Sequence, residues 1–165
     1  MDWLCVYAKN IMKKTNISNF KKTLSKFVTG VTIVCVKKNK KIYGKTVNSF
    51  NSLSLDPPLI LFSLGNYSTS IKIFLETKYL TVNILSKKQK NISDNFAKKI
   101  PEINEYNFIK GKFNTVLIPN CIGHLECKAI DKIKRGDHTI FICKVLNLDY
   151  NNKIKPLSYF NSKFL

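Results

Sequence analysis

Apolar residues recur at helical spacing in three segments of the chain, each of which predicts a short amphipathic helix. The first segment covers residues 16–29, with Asn16 or Ser18 as its cap, and the second follows a cap at Ser68. The third begins at Ser86 or Lys87 and carries lysines on its polar side. The apolar faces consist of Phe20, Leu24, Phe27 and Val28, then Ile71, Phe74 and Leu75, then Ile92 and Phe96.

β-Branched and apolar runs between these segments predict strands. Residues 31–37 and 42–52 flank a polar turn and predict a hairpin, while residues 121–148 alternate twice around Gly136 and predict a long antiparallel pair. Two further apolar runs predict buried strands, at residues 59–64 and 79–85. Polar residues 98–111 predict a loop or lid. Five or more strands with two or three short helices predict a mainly β fold, a closed barrel with helical insertions.

Charge is the unusual feature of the composition. The 165 residues include 28 Lys+Arg against 10 Asp+Glu, a net charge of +18, and Arg135 is the only arginine. Such a charge attracts polyanions, but the lysines are scattered, and a nucleic-acid reader relies on arginine for bidentate contacts. A lysine bias from an A+T-rich coding sequence explains the charge without a specific nucleic-acid partner. A Lys-rich nucleic-acid-binding protein remains the alternative.

Length and hydropathy predict one domain that does not associate with a membrane. No apolar run reaches the ~20 residues that cross a bilayer, and residues 1–10 lack the pattern of a secretory leader. The five cysteines form an odd set without a C-x-x-C pair, so neither a disulfide framework nor a zinc ribbon is expected. Cys121, His124 and Cys127 lack a fourth donor, and no metal is expected there. The sequence therefore predicts a cytoplasmic protein without a metal.

Three polar clusters beside apolar strands are candidates for chemistry: residues 46–59, residues 66–70 and residues 136–139. Ser68, Thr69 and Ser70 at a helix start can hold a phosphate, or they can simply cap the helix. Asn48 and Ser49 alone would read as exposed strand residues. His138 is either a substrate contact or a turn histidine satisfied by Asp137.

Together these clusters resemble the flavin reductase-like family of FMN-binding split-barrel proteins. The similarity runs from Phe20 to Phe164 and rests on motifs in a fixed order: FKKTLSKFVTGVTIV, GKTVNSFNSLSLDPPLILFSL, the STS loop, YLTVNIL, ISDNFA, GDHTIFICKV and PLSYFNSKF. We therefore expect an N-terminal extension over residues 1–15 and a flavin reductase-like domain over residues 16–165.

The resemblance implies an NAD(P)H:flavin oxidoreductase that reduces FMN or FAD with NADH or NADPH. It also implies a six-stranded split barrel, a homodimer, and a separate monooxygenase that receives the reduced flavin. By similarity, the flavin ring would lie along Thr46, Val47, Asn48 and Ser49. The adjacent wall of the flavin site would be formed by Ser54, Leu55, Asp56 and Pro57. Ser68 and Ser70 would hold the flavin phosphate, and Asn83 and Phe96 would make further contacts. The turn on the nicotinamide side would consist of Gly136, Asp137 and His138.

The residues themselves are compatible with such chemistry, because hydride transfer between two rings needs stacking and orientation more than a protein acid or base. Lys45 departs from the family pattern, in which a small or apolar residue precedes the T-V-N run, and arginines common near the phosphate are absent. The alternative within the same fold is a non-enzymatic flavin-binding or electron-carrier module. Steady NADH oxidation with added flavin separates the two.

Overall fold

The computed structural model describes residues 16–103 and 106–165. The N-terminal extension expected over residues 1–15 lies outside the described residues. The described chain is mainly β, with three short α-helices. The helices are α1 (Ile17–Leu24), α2 (Ile71–Glu76) and α3 (Lys90–Ala97), the last preceded by a 3-10 turn at Lys87–Gln89. The strands are β1 (Thr29–Gly30), β2 (Thr32–Lys38), β3 (Lys41–Val47), β4 (Asn51–Leu55), β5 (Pro58–Gly65), β6 (Tyr79–Ile84), β7 (Ile109–Lys110), β8 (Val116–Leu117), β9 (Gly123–Arg135), β10 (His138–Tyr150), β11 (Ser158–Phe160) and β12 (Lys163–Phe164).

Seven of these strands form one antiparallel sheet in the order β3-β2-β6-β9-β10-β5-β4. Its two end strands, β3 and β4, are not hydrogen-bonded to each other in the described chain, so the sheet is a split barrel rather than a closed one. The mainly β split-barrel class is confirmed, whereas the closed barrel and the count of six strands are wrong. The difference arises where residues 42–52 bend after Val47 and become two strands instead of one.

Both predicted hairpins are confirmed. β2 pairs with β3 across the turn at residues 39–40, and β9 pairs with β10 across Gly136 and Asp137. Gly136 has a φ of 56°, which an L side chain adopts only with strain, and this explains why glycine stands at the turn. The buried strands expected near residues 59–64 and 79–85 are β5 and β6.

The helices differ from the sequence prediction more than the strands do. α1 ends at Leu24, and none of its residues is buried; Phe20 and Leu24 on its apolar face are 54% and 57% exposed within the described chain. α2 begins at Ile71 with Ser70 rather than Ser68 at the N-cap position, and Leu75 on its expected buried face is 41% exposed. α3 follows a capping box between Ser86 and Gln89, in agreement with the predicted start. None of the described helices has the length and apolar character to cross a bilayer.

Two hydrophobic clusters contribute the core. One centres on Phe62 of β5, whose ring stacks on Phe141 at 5.0 Å between centroids, with Phe74 of α2 edge-on to Phe141. The other fills the space between the sheet and α3 and includes Ile33 and Phe96. Each buried side chain of this size contributes about 1.5–3 kcal/mol through removal from water.

Buried polar side chains of β6 and β9 hold the segment of residues 111–119 against the sheet. Asn83 Oδ1 accepts from Ile118 N–H at 2.9 Å, and the Ile118 carbonyl accepts from His124 Nε2 at 2.7 Å. Glu126 accepts hydrogen bonds from the Thr115 hydroxyl, from Phe113 N–H at 3.2 Å and from Asn147 Nδ2 at 2.9 Å. Burial alone would raise the pKa of Glu126, but these donors outweigh it and hold the pKa below its ordinary value.

The four described cysteines are all buried and free: Cys35, Cys121, Cys127 and Cys143. Burial raises the pKa of each thiol, to about 12 at Cys121 and Cys143. Thiols of that kind are packing residues rather than nucleophiles.

Candidate flavin site

The end of β3 organises the candidate site. Thr46 donates through Oγ1 to the Ser93 carbonyl of α3 at 2.6 Å, and the Val47 carbonyl accepts from Thr32 Oγ1 at 3.1 Å. Ser49 bridges to β5, because its hydroxyl donates to the Ser63 carbonyl and accepts from Ser63 N–H, both at 3.0 Å. These bonds fix the backbone of residues 46–49 between α3 and β5.

A cavity of about 210 Å³ opens where β3, the end of β5 and the start of β10 meet. We call it the His138 cleft. Its lining is Lys45, Thr46, Val47, Asn48, Ser49, Ser63, Leu64, Gly65, Ser68 and His138. The structure thus brings together the predicted flavin strand, one serine of the STS loop and the histidine of the GDH turn.

A second cavity, of about 470 Å³, is also lined by Thr46, Val47 and Asn48, and we call it the Ser93 cavity. Its remaining lining comes from Val31, from α3 and from the C-terminal hairpin: Ser93, Asp94, Ala97, Tyr159, Ser162 and Phe164. Ser93 is fully buried, and its Oγ has no hydrogen-bond partner within the described chain. The motifs that contain these residues were visible in the sequence, but no spacing marked Ser93, Tyr159 or Phe164 as lining a cavity.

The STS loop lies between the His138 cleft and a third cavity of about 230 Å³. Ser68 lines the cleft, whereas Thr69 and Ser70 line the third cavity, and the two serine hydroxyls lie 3.2 Å apart. Thr69 donates to the Lys99 carbonyl at 2.7 Å. Ser70 makes no side-chain cap bond to α2, so its hydroxyl is not committed to the helix end.

Lys45 lies in the cleft but is engaged with α3. Its ammonium donates to the carbonyl of Lys98, the C-cap of that helix, where the helix dipole favours a cation. Partial burial lowers the pKa of Lys45. The departure from the family pattern therefore places a lysine at the cleft that also caps a helix.

The GDH turn presents His138 at the rim of the cleft. His138 Nδ1 faces the Asp137 carboxylate at 2.7 Å, and the imidazole side chain is 50% exposed. The hydrogen bond with His138, followed by the charge of its ring, lowers the pKa of Asp137. His138 pairs in register with Gly65, and a Cβ placed on Gly65 would lie 3.7 Å from His138 Nε2. The second ring nitrogen is thus next to the cleft lining.

Six residues implied by the resemblance lie away from the cleft. Asn83 and Phe96 are fully buried, and the Asn83 amide is committed to the Ile33 carbonyl of the neighbouring strand and to the Ile118 N–H. Of the other four, Ser54 and Leu55 end β4, and Asp56 and Pro57 form the turn that leads into β5, whose opposite end lines the cleft. Ser54 pairs with Leu59, which is four residues or about 13 Å of strand from Ser63 of the cleft, and none of the four residues lines the cleft of its own chain.

His124 is the other histidine of the chain, and its hydrogen bonds give it a structural role. Its two ring nitrogens face the Ile118 carbonyl and the Asp149 carboxylate, each at 2.7 Å. Across residues 16–103 and 106–165, no three His, Cys, Asp or Glu side chains are grouped so that they could hold a metal ion.

Comparison with known proteins places this chain in a family. The profile of the flavin reductase like domain matches residues 24–165. The chain is 31% identical over 149 residues to the FMN reductase (NADH) SmoA of Agrobacterium fabrum, covering 90% of this chain and 85% of that protein. It is 29% identical over 153 residues to the reductase component of the FADH(2)-dependent resorcinol hydroxylase of Rhizobium sp., covering 88% of this chain and 84% of that one. Among solved structures, flavin reductase PheA2 superimposes with a TM-score of 0.86 at 30% identity, over 92% of this chain and 97% of PheA2. The chain therefore belongs to the flavin reductase like family.

Proposed function

We propose that this protein is an NAD(P)H-dependent flavin reductase that transfers a hydride from the pyridine nucleotide to FMN or FAD. The observation that carries the proposal is the His138 cleft, where the end of β3, the serine loop and the GDH turn meet in a chain of this family. NADH is the donor we favour, because SmoA is named as an NADH enzyme.

The residues present fit a flavin. Among the described residues, Ser93 Oγ has no hydrogen-bond partner although it is buried, and an unmade hydrogen bond of that kind costs about 1–3 kcal/mol. The polar edge of a flavin ring offers both donors and acceptors, and Asn48 lies beside the same cavity. Tyr159 and Phe164 add an aromatic wall. A bound flavin supplies the hydride acceptor, while Thr46, Val47 and Asn48 orient its ring and the surrounding apolar side chains exclude water.

A single spectroscopic experiment tests the proposal. The purified protein is mixed with FMN or FAD without oxygen, and NADH is then added. We expect the flavin absorbance to bleach much faster than it does without protein. A flavin that binds but is not reduced would indicate the electron-carrier alternative, and binding of nucleic acid without flavin would contradict both.

We predict that the two serines of the STS loop hold the flavin phosphate. Replacing Ser68 and Ser70 together by alanine should cost on the order of 1–3 kcal/mol of flavin affinity, since hydrogen bonds to a charged group are stronger than neutral ones. Fluorescence titration with FMN measures the effect. Ser52→Ala, on an exposed part of β4, serves as the matched control and should leave the titration unchanged. Identical curves for wild type and the double variant would remove the loop from the site.

We predict that His138 orients the nicotinamide end of the donor. His138→Ala should leave flavin affinity nearly unchanged and lower kcat/KM for NADH roughly tenfold or more, equivalent to ~1.4 kcal/mol of transition-state stabilisation. Stopped-flow reduction without oxygen assigns the loss to the reductive half-reaction. Wild-type reduction rates in a folded His138→Ala variant, or loss of the fold, would favour the alternative of a purely structural turn histidine.

We further propose that the protein acts as a homodimer in the cytoplasm and delivers reduced flavin to a separate monooxygenase. The apolar face of α1 and the 93% exposed Leu55 support a second copy, which could also bring residues 54–57 to a cleft that they do not reach within one chain. The free thiols of the four described cysteines support a reducing compartment. Light scattering of the purified protein tests the dimer, and reconstitution with candidate oxygenases tests the delivery.

A further inference from the structure

His138 can act at the cleft only if the turn that carries it is held in place. Arg135, Gly136, Asp137 and His138 are all exposed, and they form the tip of the long β9–β10 hairpin. An exposed two-residue turn is the kind of element that opens locally at low cost in free energy. The position of the His138 imidazole next to Gly65 therefore depends on the hydrogen bonds that hold the tip of the hairpin in place.

Asn66, the residue after β5, makes three hydrogen bonds to this tip. Its backbone N–H donates to the Asp137 carbonyl at 2.8 Å, and its Nδ2 donates to the Gly136 carbonyl at 3.4 Å. Its Oδ1 accepts from the Thr139 hydroxyl at 2.7 Å. Thr139 is 3% exposed, so this last bond satisfies a hydroxyl that water does not reach.

The same asparagine stands at the start of the serine loop. Gly65 before it lines the cleft, and the Gly65 carbonyl accepts from Ser68 N–H at 3.0 Å, which closes a tight turn around Asn66 and Tyr67. One side chain thus connects the loop that we assign to the flavin phosphate with the turn that we assign to the nicotinamide.

We propose that Asn66 is a positioning residue: its side chain fixes the GDH turn against the serine loop, so that His138 is aligned with the donor that reduces the flavin. The proposal rests on the flavin reductase function. Asn66 does not line the His138 cleft and acts through His138.

The decisive experiment compares four proteins by stopped-flow flavin reduction without oxygen: wild type, Asn66→Ala, His138→Ala and the double variant. Asn66→Ala removes two of the three bonds and leaves the backbone bond, so the fold should persist. We expect the rate constant of reduction at saturating NADH to fall about three- to tenfold in the wild-type background, and by less than about twofold when His138 is already absent. Equal losses in both backgrounds would overturn the proposal, because a general structural effect does not require His138.

Two further variants separate positioning from stability. Thr139→Val removes the donor to Asn66 Oδ1 and should reproduce part of the loss of rate. Asn147→Ala removes an asparagine of the same strand that donates to Glu126, far from the turn, and should leave the reduction rate unchanged. The flavin dissociation constant should change by less than about twofold in Asn66→Ala. A loss of rate in Asn147→Ala that matches that of Asn66→Ala would contradict positioning.

A measurement that does not depend on enzyme activity completes the test. The chain has two histidines, so the ring signals of His138 in an NMR spectrum can be assigned from their absence in His138→Ala. Asn66→Ala should shift the His138 signals and leave those of His124 in place. Unshifted His138 signals would overturn the proposal even if activity fell. If wild type shows no flavin reduction, the flavin reductase function itself is overturned, a result distinct from an active wild type with an equally active Asn66→Ala.

Discussion

Replacing Phe96 by alanine should lower the free energy of unfolding by about 3–5 kcal/mol, the usual cost of removing a fully buried phenylalanine ring. The ring is 0% exposed and packs with Tyr106 and Phe108, with centroids 5.9 and 6.5 Å away. It also lies directly on Gly44 of β3, where an added Cβ would be only 2.6 Å from Phe96 Cδ1. Urea unfolding followed by fluorescence measures the loss.

A conservative variant separates this packing role from the flavin contact that the resemblance implies. Phe96→Leu keeps most of the volume and should cost less than half as much as Phe96→Ala. It should also relieve the clash in Gly44→Ala, so the costs of the two substitutions should not add. A small effect of Phe96→Ala on unfolding would contradict the packing role, and a large loss of flavin affinity in a stable Phe96→Leu variant would assign the ring to the flavin site.

Replacing Glu126 by glutamine should lower the free energy of unfolding by about 2–4 kcal/mol, because the carboxylate is the shared acceptor of several buried donors. Glutamine puts an NH₂ group where one oxygen now accepts from Asn147 or from Thr115 and Phe113. Thermal unfolding measures the change. Glu102→Gln, at an exposed pair with Lys98, is the control and should leave the unfolding midpoint almost unmoved.

The effect of Glu126 should depend on pH with a definite sign. The folded-state pKa of Glu126 lies below its ordinary value of 4.5. Its contribution to stability is therefore fully present above pH 4.5 and is lost as the pH falls through the lower, folded-state pKa. The difference between wild type and Glu126→Gln should be constant near neutral pH and shrink in acid. A difference that instead grew in acid would show that the carboxyl is held neutral in the folded protein.

The sheet was predictable because its signal is local. Alternation along residues 121–148, broken at Gly136, predicts β9 and β10 without knowledge of anything else in the fold. The face of α1 was not predictable in the same way, since the spacing of Phe20 and Leu24 shows that a face is apolar but not which surface covers it. The spacing of apolar residues shows which face of a helix is apolar, but that face becomes buried only where another surface packs against it.

The site was predictable in its parts but not in its assembly. Thr46, Ser68 and His138 meet because β5 pairs with β10 in a register that places His138 opposite Gly65, a contact between distant residues that no local pattern encodes. The same long-range register puts residues 54–57 at the far end of β5. The Ser93 hydroxyl, which has no hydrogen-bond partner in residues 16–103 and 106–165, is buried because α3 packs on β3, and a serine in a helical segment gives no sign of that in the sequence.

The strand order also determines when the cleft can form during synthesis. β5 has no partner on its β10 side until residues 138–144 are available, because those residues pair with residues 59–65. β6 can pair with β2 as soon as it is made, but its other edge waits for β9, so β2–β3, β2–β6 and β4–β5 are the pairings of the sheet that can form early. Contacts between residues so far apart in sequence make folding slow compared with that of a helical protein. A ribosome-bound chain that ends before His138 therefore has the serines of the site but neither the histidine nor the strand that holds them together, and the cleft is assembled only after β10 has been made.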